Sequence, residues 1–99
     1  MKTMLKDYVL CAVANDYEDF AMISSEVSQW MRNHGKVVTR DELLKAIDDL
    51  IAEGLVHAYE LSSSSPKATP VAYSPEAVEQ LWFYVTTKGK SVARKQVSG

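Results

Sequence analysis

The chain has 99 residues, 46% of them hydrophobic and 24% charged, a balance that suits one globular domain and excludes both a disordered chain and two separately stable cores. The net charge of −2 is unevenly spread: residues 1–53 hold six Lys/Arg against ten Asp/Glu, a net −4, whereas residues 54–99 hold five against three, a net +2, so a polyanion is met more favourably by the C-terminal half. One cysteine, Cys11, closes no internal disulfide and reads as a small buried hydrophobe in a reduced, cytoplasmic setting, and neither a membrane span nor a signal-peptide core is expected, since Asp7 interrupts the apolar N-terminus.

Met4, Leu5, Tyr8, Val9, Ala12 and Val13 recur at helical spacing and predict a first helix over Thr3–Ala14. The polar run Asn15 to Asp19 ends it. Phe20 to Ile23 reads as a brief extended segment, after which Ser24 or Ser25 is positioned to cap a second helix of about ten residues whose inward stripe is Val27, Trp30 and Met31. His34-Gly35 closes that helix, glycine being the residue that accepts a left-handed position after the last turn.

Thr39-Arg-Asp-Glu42 is the sharpest local signal. The threonine side chain caps the Glu42 amide and the Glu42 side chain reaches back, a capping box that opens a third helix from Arg40 to Glu53. Leu43, Leu44, Ile47, Leu50 and Ile51 form its buried stripe, and Gly54 is the stop. Leu55 to Leu61 then reads as a strand. The serine- and proline-rich stretch Ser62 to Pro70 is expected to carry no regular ladder, and Ser74-Pro75-Glu76 opens a short helix at about Pro75–Leu81. Trp82 to Thr86, aromatic and β-branched, is the return strand that pairs with Leu55–Leu61. Thr87 is expected to cap a last turn or two over Lys88–Arg94, with residues 95–99 frayed. No repeat or linker divides the chain, so residues 1–99 are read as a single domain with an extended loop and short helix over 62–81.

This order of elements resembles the winged helix-turn-helix superfamily, an α+β, mainly α architecture in which a three-helix core carries a two- to three-stranded wing sheet. The segment from Leu43 to Val56, with its Glu53-Gly54-Leu55-Val56 exit, is similar to the end of the recognition helix in MarR-like and PadR-like bacterial regulators, and Tyr84-Val-Thr-Thr-Lys88-Gly89-Lys90 resembles the segment after their wing. Here the wing also bears a short helical insertion.

The resemblance implies a DNA-binding domain of the transcription-regulator type, with helix three entering the major groove of double-stranded DNA. Carried onto this chain, the nucleic-acid-binding residues are Arg40 and Lys45 on helix three, Lys67 in the wing, and Lys88 and Lys90 after it, the last three meeting backbone phosphates. Asp41, Asp48 and Asp49 share the helix-three face and oppose this reading, because carboxylates beside phosphates repel. The competing reading is a winged helix used for protein–protein contact or homodimerisation. Its interface is drawn from Trp82, Phe83 and Tyr84, which cannot all point inward on a strand.

His34, His57 and Cys11 lack metal-ligand spacing, and Asp16, Glu18 and Asp19 lack the calcium-loop pattern, so neither a metal nor another cofactor is expected. No nucleophile, phosphate loop or acid–base pair marks the chain as an enzyme.

Overall fold

The computed structural model describes residues 2–14, 16–61 and 68–98, and the side chains of 5–14, 16–61 and 68–93. The order is α1 (Lys2–Ala12), β1 (Glu18–Asp19), α2 (Phe20–Asn33), α3 (Arg40–Ala52), β2 (Val56–Leu61), β3 (Ala68–Val71), a 3-10 helix (Pro75–Gln80), β4 (Trp82–Val85) and α4 (Thr87–Ser98). α1 lies at the centre and packs against α2, α3 and α4, burying Leu5, Val9, Leu10 and Ala12. Cys11 is only half-buried. Burial, and secondarily the charge of Asp7, pushes its thiol pKa up.

The start of α2 differs from expectation. The predicted strand at Phe20–Ile23 is the first turn of the helix, and neither Ser24 nor Ser25 caps it. Asp19 does: its carboxylate accepts the Met22 N–H at 2.9 Å. Phe20 and Ile23 then fall in one buried stripe with Val27 and Met31, so the helix begins five or six residues earlier than a cap at Ser24 or Ser25 implies. The extended segment is Glu18–Asp19, paired with Phe83 and Trp82 of β4.

α3 follows its capping box as read from the sequence. Thr39 Oγ1 accepts the Glu42 N–H at 3.2 Å, and Glu42 Oε1 accepts the Thr39 N–H at 2.9 Å. Leu43, Ala46, Ile47 and Leu50 are its buried residues. Both α2 and α3 end on a glycine with positive φ, Gly35 at 71° and Gly54 at 76°, where any Cβ would be strained. The N–H groups of Lys36 and Leu55 then bond back to the Met31 and Leu50 carbonyls at 2.9 and 3.0 Å.

Among the described residues the sheet has four strands rather than two or three, in the order β1-β4-β2-β3 and antiparallel throughout. The expected pairing of β2 with β4 is present, Val56 opposite Val85 and Ala58 opposite Phe83. The ladder also resumes inside the stretch read as loop: Ala68–Val71 pairs with Ala58–Leu61. Pro70 is accommodated because β3 is an edge strand, where a missing N–H breaks no second ladder. The wing insertion is a 3-10 helix that packs against α2 and buries Val78.

α4 runs to Ser98, so the frayed tail expected from Lys95 is helical backbone through that residue. Its cap is Thr86 rather than Thr87: Thr86 Oγ1 accepts the Gly89 N–H at 3.0 Å. Helices α2 and α3, joined by a short turn and followed by a β2–β3 wing, make this a winged-helix arrangement. Among the described residues no helix is long and apolar enough to cross a membrane.

Candidate nucleic-acid interface

α3 presents Arg40, Asp41, Glu42, Lys45 and Asp48 to solvent. The two cations leave the helix in different directions, five residues or about 140° apart around its axis. Arg40 turns toward the 3-10 helix, where its Nη2 lies 2.9 Å from Glu79 Oε1, and its guanidinium sits 5.0 Å from the centre of the buried Phe20 ring. Both ends of that ion pair stay exposed, at 52% and 70%, so solvent screens it heavily. Lys45 turns the other way, toward a cavity of about 280 Å³ between α1 and α3 that Leu5, Met31 and Val37 also line. Its ammonium lies 3.5 Å from Asp49, one helical turn on.

The post-wing lysines also separate. Lys88 Nζ donates to the Glu53 carbonyl at 3.1 Å, satisfying an unpaired acceptor at the end of α3, and Lys6 pairs with the Glu53 carboxylate alongside. Lys90 extends over the sheet, with its ammonium 5.3 Å from the Tyr84 ring centre. Lys67 lies outside the described residues. The described candidates therefore occupy both flanks of α3, its C-terminal end and the sheet, and do not converge on one patch.

Acidic groups dominate the front of α3. Tyr73 reaches in beneath it from the segment after β3, its ring 5.9 Å from Phe83 and its hydroxyl buried without a hydrogen-bond partner among the described residues. Burial and the charges of Asp48 and Glu76 push that hydroxyl's pKa up, while Arg40 pulls it down.

β4 resolves the aromatic question. Phe83 is fully buried, as are Val56, Ala58 and Val85 on the same face, so Trp82 and Tyr84 point to the other face with His57 and Tyr59, which lie opposite Tyr84 and Trp82 in the ladder. Tyr17 closes this group, 4.8 Å from Tyr84 and 5.1 Å from Tyr59 between ring centres, and His57 lies 5.4 Å from Tyr59. Burial, then the neighbouring Tyr17 and Tyr84, raises the Tyr59 pKa. Sequence reasoning named Trp82 and Tyr84 but missed Tyr59 and Tyr17. The alternation His57-x-Tyr59 carried a signal for the first, whereas Tyr17 reaches the face only because β1 pairs with β4.

No protein-family model matches the chain, and no curated protein matches it. A solved structure does: a PadR-like transcription factor from Bacteroides fragilis, 18% identical, aligns over 98% of this chain and 80% of its own with a TM-score of 0.61. At that identity the likeness is one of fold, and the chain has the winged-helix fold seen in that PadR-like structure.

Proposed function

We propose that the chain is a regulator-type winged-helix module, one domain over residues 1–99, that binds double-stranded DNA in the cytoplasm and performs no catalysis. What supports this is the exposed α3 held against a wing in an arrangement shared with a PadR-like transcription factor. Arg40 is the residue best placed to enter a groove, because it stands at the first turn of α3, where the helix dipole also favours a phosphate. Lys45, Lys88 and Lys90 contribute phosphate contacts from other directions, and Lys67, outside the described residues, is proposed as a further phosphate contact. With Asp41 and Asp48 on the same helix, binding is weak and led by the DNA backbone.

Fluorescence anisotropy with a labelled duplex at low and moderate salt tests the reading. Salt-sensitive binding that Arg40→Glu weakens is the expected result; an unchanged anisotropy at tens of micromolar protein, even at low salt, removes DNA from the account.

The acidic front of α3 favours a second reading, a protein contact. In that case pull-down of a basic partner fails on Asp41→Asn/Asp48→Asn, and Arg40→Glu has no effect.

A further inference from the structure

The sheet face opposite the helices carries Tyr17, His57, Tyr59, Leu61, Trp82 and Tyr84, none of which is buried. Leu61, two positions on from Tyr59 along β2, is a large hydrophobic side chain left exposed. Tyr17, Tyr59 and Tyr84 pack on one another, whereas Trp82 has no ring partner among the described residues and lies opposite Tyr59 in the ladder. An apolar and aromatic surface of this kind is the mark of a contact face.

Two charges frame it. Asp19 of β1 lies directly opposite Trp82 and so shares its face. Its Oδ1 caps α2 by accepting the Met22 N–H at 2.9 Å, which leaves the other oxygen for a partner. Lys90 reaches back from α4 and sets its ammonium 5.3 Å from the centre of the Tyr84 ring. The negative charge therefore stands at the Trp82 end of β4 and the positive charge at the Tyr84 end, with those two residues about 7 Å apart along the strand.

That order selects the occupant. A polyanion drawn to Lys90 would be repelled by Asp19 beside Trp82. A second copy avoids the conflict, because a patch with both signs at opposite ends complements itself. A two-fold axis lying in the contact plane and crossing β4 between Trp82 and Tyr84 lays the Trp82 end of one strand over the Tyr84 end of the other. Lys90 of each copy then faces Asp19 of its partner, and the aromatic rings meet between the two pairs.

We propose that this face joins two copies of the chain, sheet to sheet, with Tyr59, Trp82 and Tyr84 at the centre and reciprocal Asp19–Lys90 pairs at the rim. The dimer goes beyond the duplex reading and does not depend on it. α3 lies on the other side of the sheet with Arg40 and Lys45 open to solvent, while Lys90, available to a phosphate in a single copy, is held by the partner's Asp19.

Sedimentation velocity of the 99-residue chain across roughly 1–300 μM tests this. A concentration-dependent dimer is expected. Trp82→Ala weakens it roughly a hundredfold, since each dimer loses two central indoles. Lys90→Ala and Asp19→Asn, the latter keeping the α2 cap, each weaken it several-fold, and less so at high salt. Combined, the two charge changes weaken it no more than either alone, because each already breaks both pairs. Arg40→Glu, on α3, leaves the dimer unchanged. Melting followed by circular dichroism checks that each variant folds; should Trp82→Ala not fold, the two charge variants carry the test. A monomer at hundreds of micromolar protein overturns the proposal, as does a dimer that Lys90→Ala and a folded Trp82→Ala leave intact. Fully additive losses from the two charge changes overturn it as well, since the groups then do not meet.

Discussion

The Thr86 hydroxyl donates to the Gly54 carbonyl at 2.7 Å, and so joins the end of α3 to the start of α4 across 32 residues of chain. The same oxygen accepts the Gly89 N–H at 3.0 Å, and the Thr86 N–H bonds to the Leu55 carbonyl at 2.9 Å. One side chain thus satisfies a carbonyl left open by α3 and an amide left open by α4.

Thr86→Val keeps the shape and removes both side-chain bonds. A loss of about 1–2 kcal/mol is expected from the missing cap and the unpaired groups, read as a lower urea midpoint at unchanged m-value. Thr86→Ser retains the hydroxyl and recovers most of it. A loss in Thr86→Ser with none in Thr86→Val would mean that the methyl group, not the hydroxyl, matters at this position.

Gly89 sits where helix propensity and packing oppose each other. Replacing a helical glycine with alanine ordinarily gains up to about 1 kcal/mol. Here an added Cβ overlaps the Leu55 carbonyl and the Val85 side chain, and a backbone carbonyl has no rotamer by which to move away. Gly89→Ala is therefore expected to destabilise by about 1–3 kcal/mol, as overpacking does. A rise in melting temperature would show that α4 sits further from Leu55 than described.

How much was readable in advance follows from where each constraint lies. The capping box at Thr39 and the left-handed Gly35 and Gly54 are fixed by neighbours within a few residues, and α3 was legible for that reason. The start of α2 was misread because Asp19 and Ser24 are both good caps. What decides between them is that Phe20 and Ile23 have a core to enter. β3 was missed since Pro70 argues against a strand unless the strand is known to be an edge. The candidate site suffered more, as the ion pair of Arg40 with Glu79 joins residues 39 apart, and the placing of Tyr17 beside Tyr84 depends on sheet order. Neither has a local signature.

Asp19→Ala tests the corrected cap of α2. Removing the acceptor of the Met22 N–H is expected to cost about 1 kcal/mol, while Asp19→Asn costs little. Alanine at Ser24, inside the helix, leaves stability almost unchanged. The three variants compared in one urea series separate the two caps; a larger loss at Ser24 than at Asp19 would restore the later helix start.

Glu18 gives a pH-dependent prediction. Burial first, then the charges of Glu26, Asp16 and Asp19, raises its pKa above 4.5 in the folded chain, so the folded state holds this proton more tightly than the unfolded state. Its ionisation consequently opposes folding. The penalty is absent below the unfolded value, grows through the window between the unfolded and folded pKa, and is complete above it. Glu18→Gln is expected to raise the melting temperature at pH 7 and to raise it much less near pH 4. An equal gain at both values would place the effect in packing rather than charge.

Glu79 provides the last test, because it joins the wing insertion to the residue on which the duplex reading depends. Its pair with Arg40 is exposed on both sides, so breaking it with Glu79→Gln changes stability by less than about 1 kcal/mol. The effect on DNA differs, since a carboxylate 2.9 Å from the Arg40 guanidinium competes with any phosphate for the same donors and repels it. Removing that charge is expected to tighten duplex binding a few-fold at low salt, with the gain shrinking as salt rises. In Arg40→Ala the same Glu79 change retains only the general loss of one negative charge, so the excess seen with Arg40 present measures the competition itself. If Glu79→Gln tightens binding equally with and without Arg40, the arginine is not the group the DNA meets, and the contact must be sought at the lysines beyond the wing.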